Sequence, residues 1–97
     1  MKVTLHPKAE QDVAAAAAFY QREGSPALAA RFVAEFDRVA RLLAASPGLG
    51  APYSDERRMF PTTGFPYAII YRVIPGGIRV LVVRHDRRRP GFGQGRR

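Results

Sequence analysis

Ninety-seven residues suffice for one domain, expected over 1–97, and leave no room for a second core. With 46% hydrophobic and 25% charged residues the composition is that of a folded globular chain, and a formal charge of +8 favours anionic partners: nucleic acid, an acidic protein or a membrane surface. There is no cysteine, which excludes a disulfide framework and a thiolate ligand or nucleophile, and His6 and His85 stand in no metal-ligand spacing, so no metal and no cofactor is expected.

Met1–Leu5 (MKVTL) alternates with β-branched residues and predicts a short first strand. The N-terminus lacks the long apolar core of a signal peptide, and nothing approaches the roughly 20 apolar residues of a membrane span. A cytoplasmic location without membrane contact is the expectation. Pro7 to Glu23 reads as a helix, with Pro7 in the first turn, Glu10 and Asp12 complementing the positive end of the dipole and Gly24 as the stop. Its apolar face runs Ala9, Val13, Ala16, Ala17, Tyr20, and so many alanines let another element approach closely.

The segment SPALAARFVAEFDRVARLLAASPG is the clearest helix. Ser25 is a natural N-cap, Pro26 takes the first helical position, Leu28, Phe32, Phe36, Val39 and Leu43 recur at helical spacing, and Pro47-Gly48 ends it. Two helices joined through Gly24-Ser25 should form an antiparallel hairpin. A loop, SPGLGAPYSDE, leads into three β-type runs, RRMFPTT, YAIIYRVI and IRVLVVRH, with Pro75-Gly76-Gly77 turning between the last two. The order is βααβββ: an α+β fold in which an antiparallel sheet carries a helical hairpin on one face.

Strict alternation puts Tyr67, Ile69, Tyr71 and Val73 on one face of the middle strand and Ala68, Ile70, Arg72 and Ile74 on the other. In the last strand it groups Arg79, Leu81, Val83 and His85. Arg72 and Arg79 mark the face turned away from the helices, because an unpaired buried arginine would be very costly. Apolar Ile70, Leu81 and Val83 between arginines on an open face suggest that a protein partner's segment lies there.

Six of the sixteen basic residues follow Val83, namely Arg84, Arg87, Arg88, Arg89, Arg96 and Arg97, with only Asp86 against them. Arginine outnumbers lysine fourteen to two, a skew that suits forked contacts to phosphate or carboxylate and that a GC-rich genome would also produce. The final GFGQGRR is glycine-rich, and a flexible basic tail is expected over about 91–97, mobile until bound.

With this order in place, four stretches carry a resemblance: HPKAEQDVAAAAAFY in the first helix, SPGLGAPY after the second, FPYAIIYRV in the middle strand and RVLVVRHDRRRPGF at the end. Together they resemble the ParE/RelE superfamily of bacterial type II toxin–antitoxin toxins over nearly the whole chain, and the last two are closer to the ParE branch. The resemblance implies a cytoplasmic toxin neutralised by a cognate, acidic antitoxin that wraps it. It further implies that DNA gyrase is the target if the chain is ParE-like, and mRNA on the ribosome if it is RelE-like.

Chemistry separates the two. Metal-free RNA cleavage needs a base for the 2′-hydroxyl, cations for the charge on phosphorus and an acid for the leaving oxygen. His85 could carry the proton, and Arg58, Arg72, Arg87 and Arg88 could supply the cations. Against this, RelE-like nucleases carry a basic residue where this chain has Ala68, and a tyrosine shortly after the last strand where it offers Phe92 and Gln94. Only Arg88 matches a catalytic position of theirs. A lone histidine at a strand end is also a common structural residue, hydrogen-bonded locally or paired with a neighbour such as Asp86.

No catalytic residue is therefore assigned, and a binder is the expectation. Target contacts are expected at Arg84, Arg87, Arg88 and Arg89, and antitoxin contacts at Ile70, Arg72, Arg79, Leu81 and Val83. A basic nucleic-acid-binding module without a toxin role is a third reading, but the chain shows no helix-turn-helix and no strand laid out for base stacking.

Overall fold

His6 leaves the first strand and starts the first helix. In a computed structural model, which describes residues 1–89 and 91–97, its backbone is extended and its Nδ1 accepts from the Lys8 N–H at 3.0 Å. That bond caps α1 (Pro7–Glu23), satisfying one of the amides a helix start leaves unpaired. Ser25 does the same for α2 (Pro26–Ala45), its Oγ accepting from the Leu28 N–H at 3.0 Å. The two helices pack as the expected hairpin, α1 offering buried Ala9 and Ala16 while α2 buries Phe32, Phe36, Val39 and Leu43.

The hairpin lies on one face of a sheet built from β1 (Lys2–Leu5), β2 (Ala51–Pro52), β3 (Arg57–Pro61), β4 (Tyr67–Ile74) and β5 (Gly77–His85). Strand order is β1-β5-β4-β3-β2. The β3-β4-β5 meander is antiparallel as expected, but β1 joins β5 in parallel, so the sheet is mixed. The chain leaves β1 and returns to β5 only after the whole helical hairpin and meander, which brings both strands to run the same way. The second difference is β2, a two-residue strand inside the expected loop, joined to β3 by the tight turn Ser54–Arg57.

Between helices and sheet, Tyr20, Phe32, Phe65 and Tyr67 meet edge-on or tilted, with ring centroids 5.1–6.4 Å apart. Truncating fully buried Phe32 to alanine would cost about 3–5 kcal/mol. Tyr71 is equally buried and uses its hydroxyl twice, donating to the Pro47 carbonyl at 2.7 Å and accepting from the Gly50 N–H at 2.9 Å. The chain between α2 and β2 is thereby pinned to the sheet. Gly50 is required there, because a Cβ would stand 2.5 Å from that hydroxyl.

A β-bulge interrupts the β4–β5 register between Ile70 and Tyr71: Ile70 faces Val82 and Tyr71 faces Val80, which leaves Leu81 as the extra residue. Alternation along β5 therefore breaks. Ile78, Val80 and Val83 belong to the helix-side core, while Leu81 and Val82 both pack with Ile70 and Met59 on the other face. The helix-free face is not open either. Phe92, from the segment after β5, packs on Ile70, Leu81 and Val82, and all three are almost fully buried.

Candidate functional site

The chain turns sharply where β5 ends. The His85 carbonyl accepts from the Arg88 N–H at 2.9 Å, and His85 Nδ1 accepts from the Arg87 N–H at 3.0 Å. The Asp86 N–H donates to the Pro66 carbonyl at 2.9 Å, tying the turn to the start of β4. Nδ1 being the acceptor, the proton of the neutral ring lies on Nε2. The imidazole stands edge-on to Tyr67 at 5.0 Å. His85 thus holds the backbone that carries Arg87 and Arg88, and its partners are that backbone and Tyr67, not Asp86.

A cavity of about 520 Å³ lies between α1 and this end of the sheet. Asp12, Phe19 and Arg22 line it from α1, Tyr67 from β4, His85 from β5, and Arg87, Arg88 and Phe92 from the segment beyond. Burial raises the Tyr67 phenol above its usual range, with Tyr20 adding to the effect, so at neutral pH it stays a protonated donor. Arg88 and Arg96 both lie over the Phe92 ring, at 4.9 and 5.2 Å from its centre.

On the helix-free face the last residues, 91–97, form successive turns that settle on the sheet. Buried Arg57 holds them: its guanidinium donates to the Gly93 carbonyl at 3.3 Å and to the carbonyls of Gln94 and Arg96. A buried cation without a carboxylate would be very costly, and three converging carbonyls supply the compensating partial charge. Arg96 is anchored in turn, its Nη1 bonding Asp12 at 2.5 Å and the Leu81 carbonyl at 3.2 Å. Arg79 donates to the Arg97 carbonyl and to Thr4 Oγ1. A second cavity, about 390 Å³, lies beside this region, with Arg57, Arg72, Arg96 and Arg97 on its walls.

The expected site residues sort as follows. Arg87, Arg88 and Arg89 are exposed on the turn and the residues after it. Arg84 is a brace instead of a free contact: its Nη1 donates to the Arg88 carbonyl at 3.1 Å, its Nη2 reaches Met59 Sδ at 3.6 Å, and its Nε is buried without a partner. Among the residues expected to meet the antitoxin, the bulge moves Val83 to the helix side, where it is buried and lines the first cavity. Ile70 and Leu81 are on the expected face but lie beneath Phe92, and Arg79 is occupied by the tail. Arg72 remains half-buried at the second cavity.

Of the five residues of the enzyme alternative, His85, Arg87 and Arg88 share the first cavity, while Arg58 and Arg72 lie apart from it. Arg72 pairs across from Arg79 while Tyr67 pairs across from His85, which places Arg72 roughly 17 Å away along the sheet. Arg58 is held at another edge, donating to the Gly50 carbonyl at 2.7 Å. Asp12, Arg57 and Arg96, which organise the basic end, were not singled out as such by sequence, since nothing in their spacing announces contacts across 36 to 84 positions.

Among the described residues no helix is long and apolar enough to cross a membrane, and no three His, Cys, Asp or Glu side chains gather as a metal site would require. The family model for the ParE toxin of the type II toxin–antitoxin system parDE matches residues 3–90. No curated protein matches the chain in sequence. Among solved structures, the chain is similar to one described as the chromosomal ParDE TA system from P. aeruginosa, at a TM-score of 0.77 and 23% identity, over 88% of this chain and 95% of that one.

Proposed function

The chain belongs to the ParE toxin family of type II toxin–antitoxin systems, and from that premise we propose that it acts in the cytoplasm by binding and inhibiting DNA gyrase, held in check by a cognate antitoxin. The observation that carries the reading is the exposed run Arg87, Arg88 and Arg89, presented by a turn that His85 and Pro66 fix. Such a surface suits an anionic assembly of protein and DNA and demands no acid–base pair. The separation of Arg58 and Arg72 from His85 argues against a nuclease that needs either of them beside that imidazole.

The apolar face expected to receive the antitoxin is covered in the free chain by its own Phe92. A partner segment reaching Ile70 and Leu81 has to displace Phe92 first, and the accessible neighbours are Arg72 and exposed Val73 at the second cavity. An acidic segment would find cations there in Arg72 and Arg97, with Asp55 and Glu56 on the same wall to direct it toward them.

The test is purified chain without antitoxin in two parallel assays: gyrase supercoiling with a check for trapped cleaved DNA, and mRNA cleavage on translating ribosomes. Loss of supercoiling with intact mRNA is the expected outcome. Cut mRNA with unaffected gyrase would overturn the proposal and return His85 and Arg88 to the enzyme reading.

A further inference from the structure

The cavity between α1 and the end of β5 is rich in hydrogen-bond donors and short of acceptors. Arg87 and Arg88 bring two cations, Arg22 a third that is paired with Glu23 at 3.3 Å, and His85 brings its Nε2–H, since Nδ1 is already engaged by the turn. The one carboxylate on the wall, Asp12, is already taken by Arg96 and by the Val83 N–H at 3.0 Å. Among the described residues no carboxylate pairs with Arg87 or Arg88. Aromatic surface is interleaved with this charge: Phe19, 47% exposed, on the helix side, Phe92 on the tail side and Tyr67 with His85 at the sheet.

We propose that this cavity binds a nucleotide, the phosphate on Arg87 and Arg88 and the base against exposed Phe19, with Phe92, already under Arg88 and Arg96, forming the opposite wall. Forked guanidinium groups match a doubly charged phosphate better than a lone carboxylate, which would leave part of the positive charge and all of the aromatic surface unused. Rings between cations suit base stacking, which tolerates any base because each has a π-face. At about 520 Å³ the cavity falls in the range of small-molecule sites. The nucleotide is either free, its phosphate carrying up to two charges, or one unit of a single strand, its phosphate carrying one; phosphate oxygens and a base are common to both. The proposal goes beyond gyrase inhibition and does not rest on it: the binding is a property of this chain alone.

The experiment is a nuclear magnetic resonance titration of the full chain with dAMP, with inorganic phosphate and with a short oligothymidylate, following the amides of Phe19, Arg87 and Arg88 and the His85 ring. A saturable shift at these residues with half-saturation at about 1 mM or below is expected for dAMP, and tighter, salt-sensitive binding by the oligonucleotide would mark the strand as the source. The double variant Arg87→Ser/Arg88→Ser should weaken dAMP about tenfold, and Phe19→Ala about fivefold. All three side chains are solvent-exposed, so the variants should keep the wild-type spectrum elsewhere.

Three results would overturn the proposal. One is the absence of a saturable shift. Another is inorganic phosphate binding as well as dAMP, which would leave the aromatic walls without a part. The third is a glutamate-rich peptide binding the same residues more tightly than either nucleotide. Gyrase activity is not read here, so failure of the cavity proposal leaves the target proposal standing, and the converse also holds.

Discussion

Asp12 on α1 and Arg96 near the C-terminus form an ion pair at 2.5 Å across 84 positions of chain, both side chains at least 86% removed from solvent. The same carboxylate accepts from the Val83 N–H, so one residue joins the first helix, the last strand and the tail. A helix-dipole role, all that sequence suggests for Asp12, would be met equally by solvent exposure. The structure gives it a partner instead.

Removing that charge should therefore cost more than a surface substitution. Asp12→Asn is expected to destabilise by about 2 kcal/mol, the range of a charged hydrogen bond lost from a mostly buried site. Arg96→Met should cost a similar amount, and the double variant less than the sum of the two. Urea denaturation of the four proteins measures this. Additive losses would mean the pair contributes nothing as a pair.

Arg57 is the clamp of the tail. Arg57→Met keeps the volume of the stem but loses the donors to Gly93, Gln94 and Arg96. The expected result is a tail whose amides exchange rapidly with solvent and whose Phe92 uncovers Ile70 and Leu81, with binding of a hydrophobic dye as the second sign. The helix-side core, which Arg57 does not touch, should keep its protection. Unchanged exchange in residues 91–97 would contradict the clamp.

His6 gives stability a pH dependence. Its imidazole pKa is lowered from the usual 6.5, by burial first and then by the neighbouring cations Arg79, Arg96 and Lys8, against Asp12, which raises it. The unfolded chain therefore takes up the proton more readily than the folded one. Stability tied to neutral His6 is fully present above pH 6.5 and is lost as pH falls from there toward the lowered folded value. Protonation also removes the acceptor that caps α1. Denaturation at pH 7.5 and pH 5.5 should show a loss in the wild type that is smaller in His6→Asn, which retains a side-chain acceptor. The Glu35 carboxyl, held below its usual 4.5 chiefly by its hydrogen bond from Arg38 and also by the Thr63 N–H, acts in a separate, lower window.

Local signals carried most of the fold into view. Ser25, Pro26 and the Phe32-Phe36-Val39-Leu43 stripe announced α2, and Pro75-Gly76 the last hairpin, because caps, periodicity and turns act over a few residues. The hairpin at Asp55-Glu56 escaped notice: both residues have positive φ, 47° and 60°, and although aspartate suits the first position, glutamate stands where glycine would mark the turn. The β-bulge at Leu81 escaped too, since nothing in VLVV distinguishes an interrupted alternation from a regular one, and it reversed the placing of Val83. Gly77 reads as a turn residue, but its lack of a Cβ answers to the close pass of Lys2, whose carbonyl would stand 1.8 Å from one. At the basic end the exposed arginines were legible from charge alone. The tail's seat on Arg57 and Asp12 was not, because contacts between such distant positions leave no periodic trace.

The most direct test of the central claim, that the basic turn after β5 is the address by which the protein meets gyrase, is supercoiling inhibition by the wild type and by the triple variant Arg87→Ser/Arg88→Ser/Arg89→Ser, side by side. The three side chains lie on the surface, so the variant should fold as the wild type does and lose at least about tenfold in inhibitory strength. A folded triple variant that inhibits gyrase as strongly as the wild type would contradict the account and move the target surface elsewhere on the molecule.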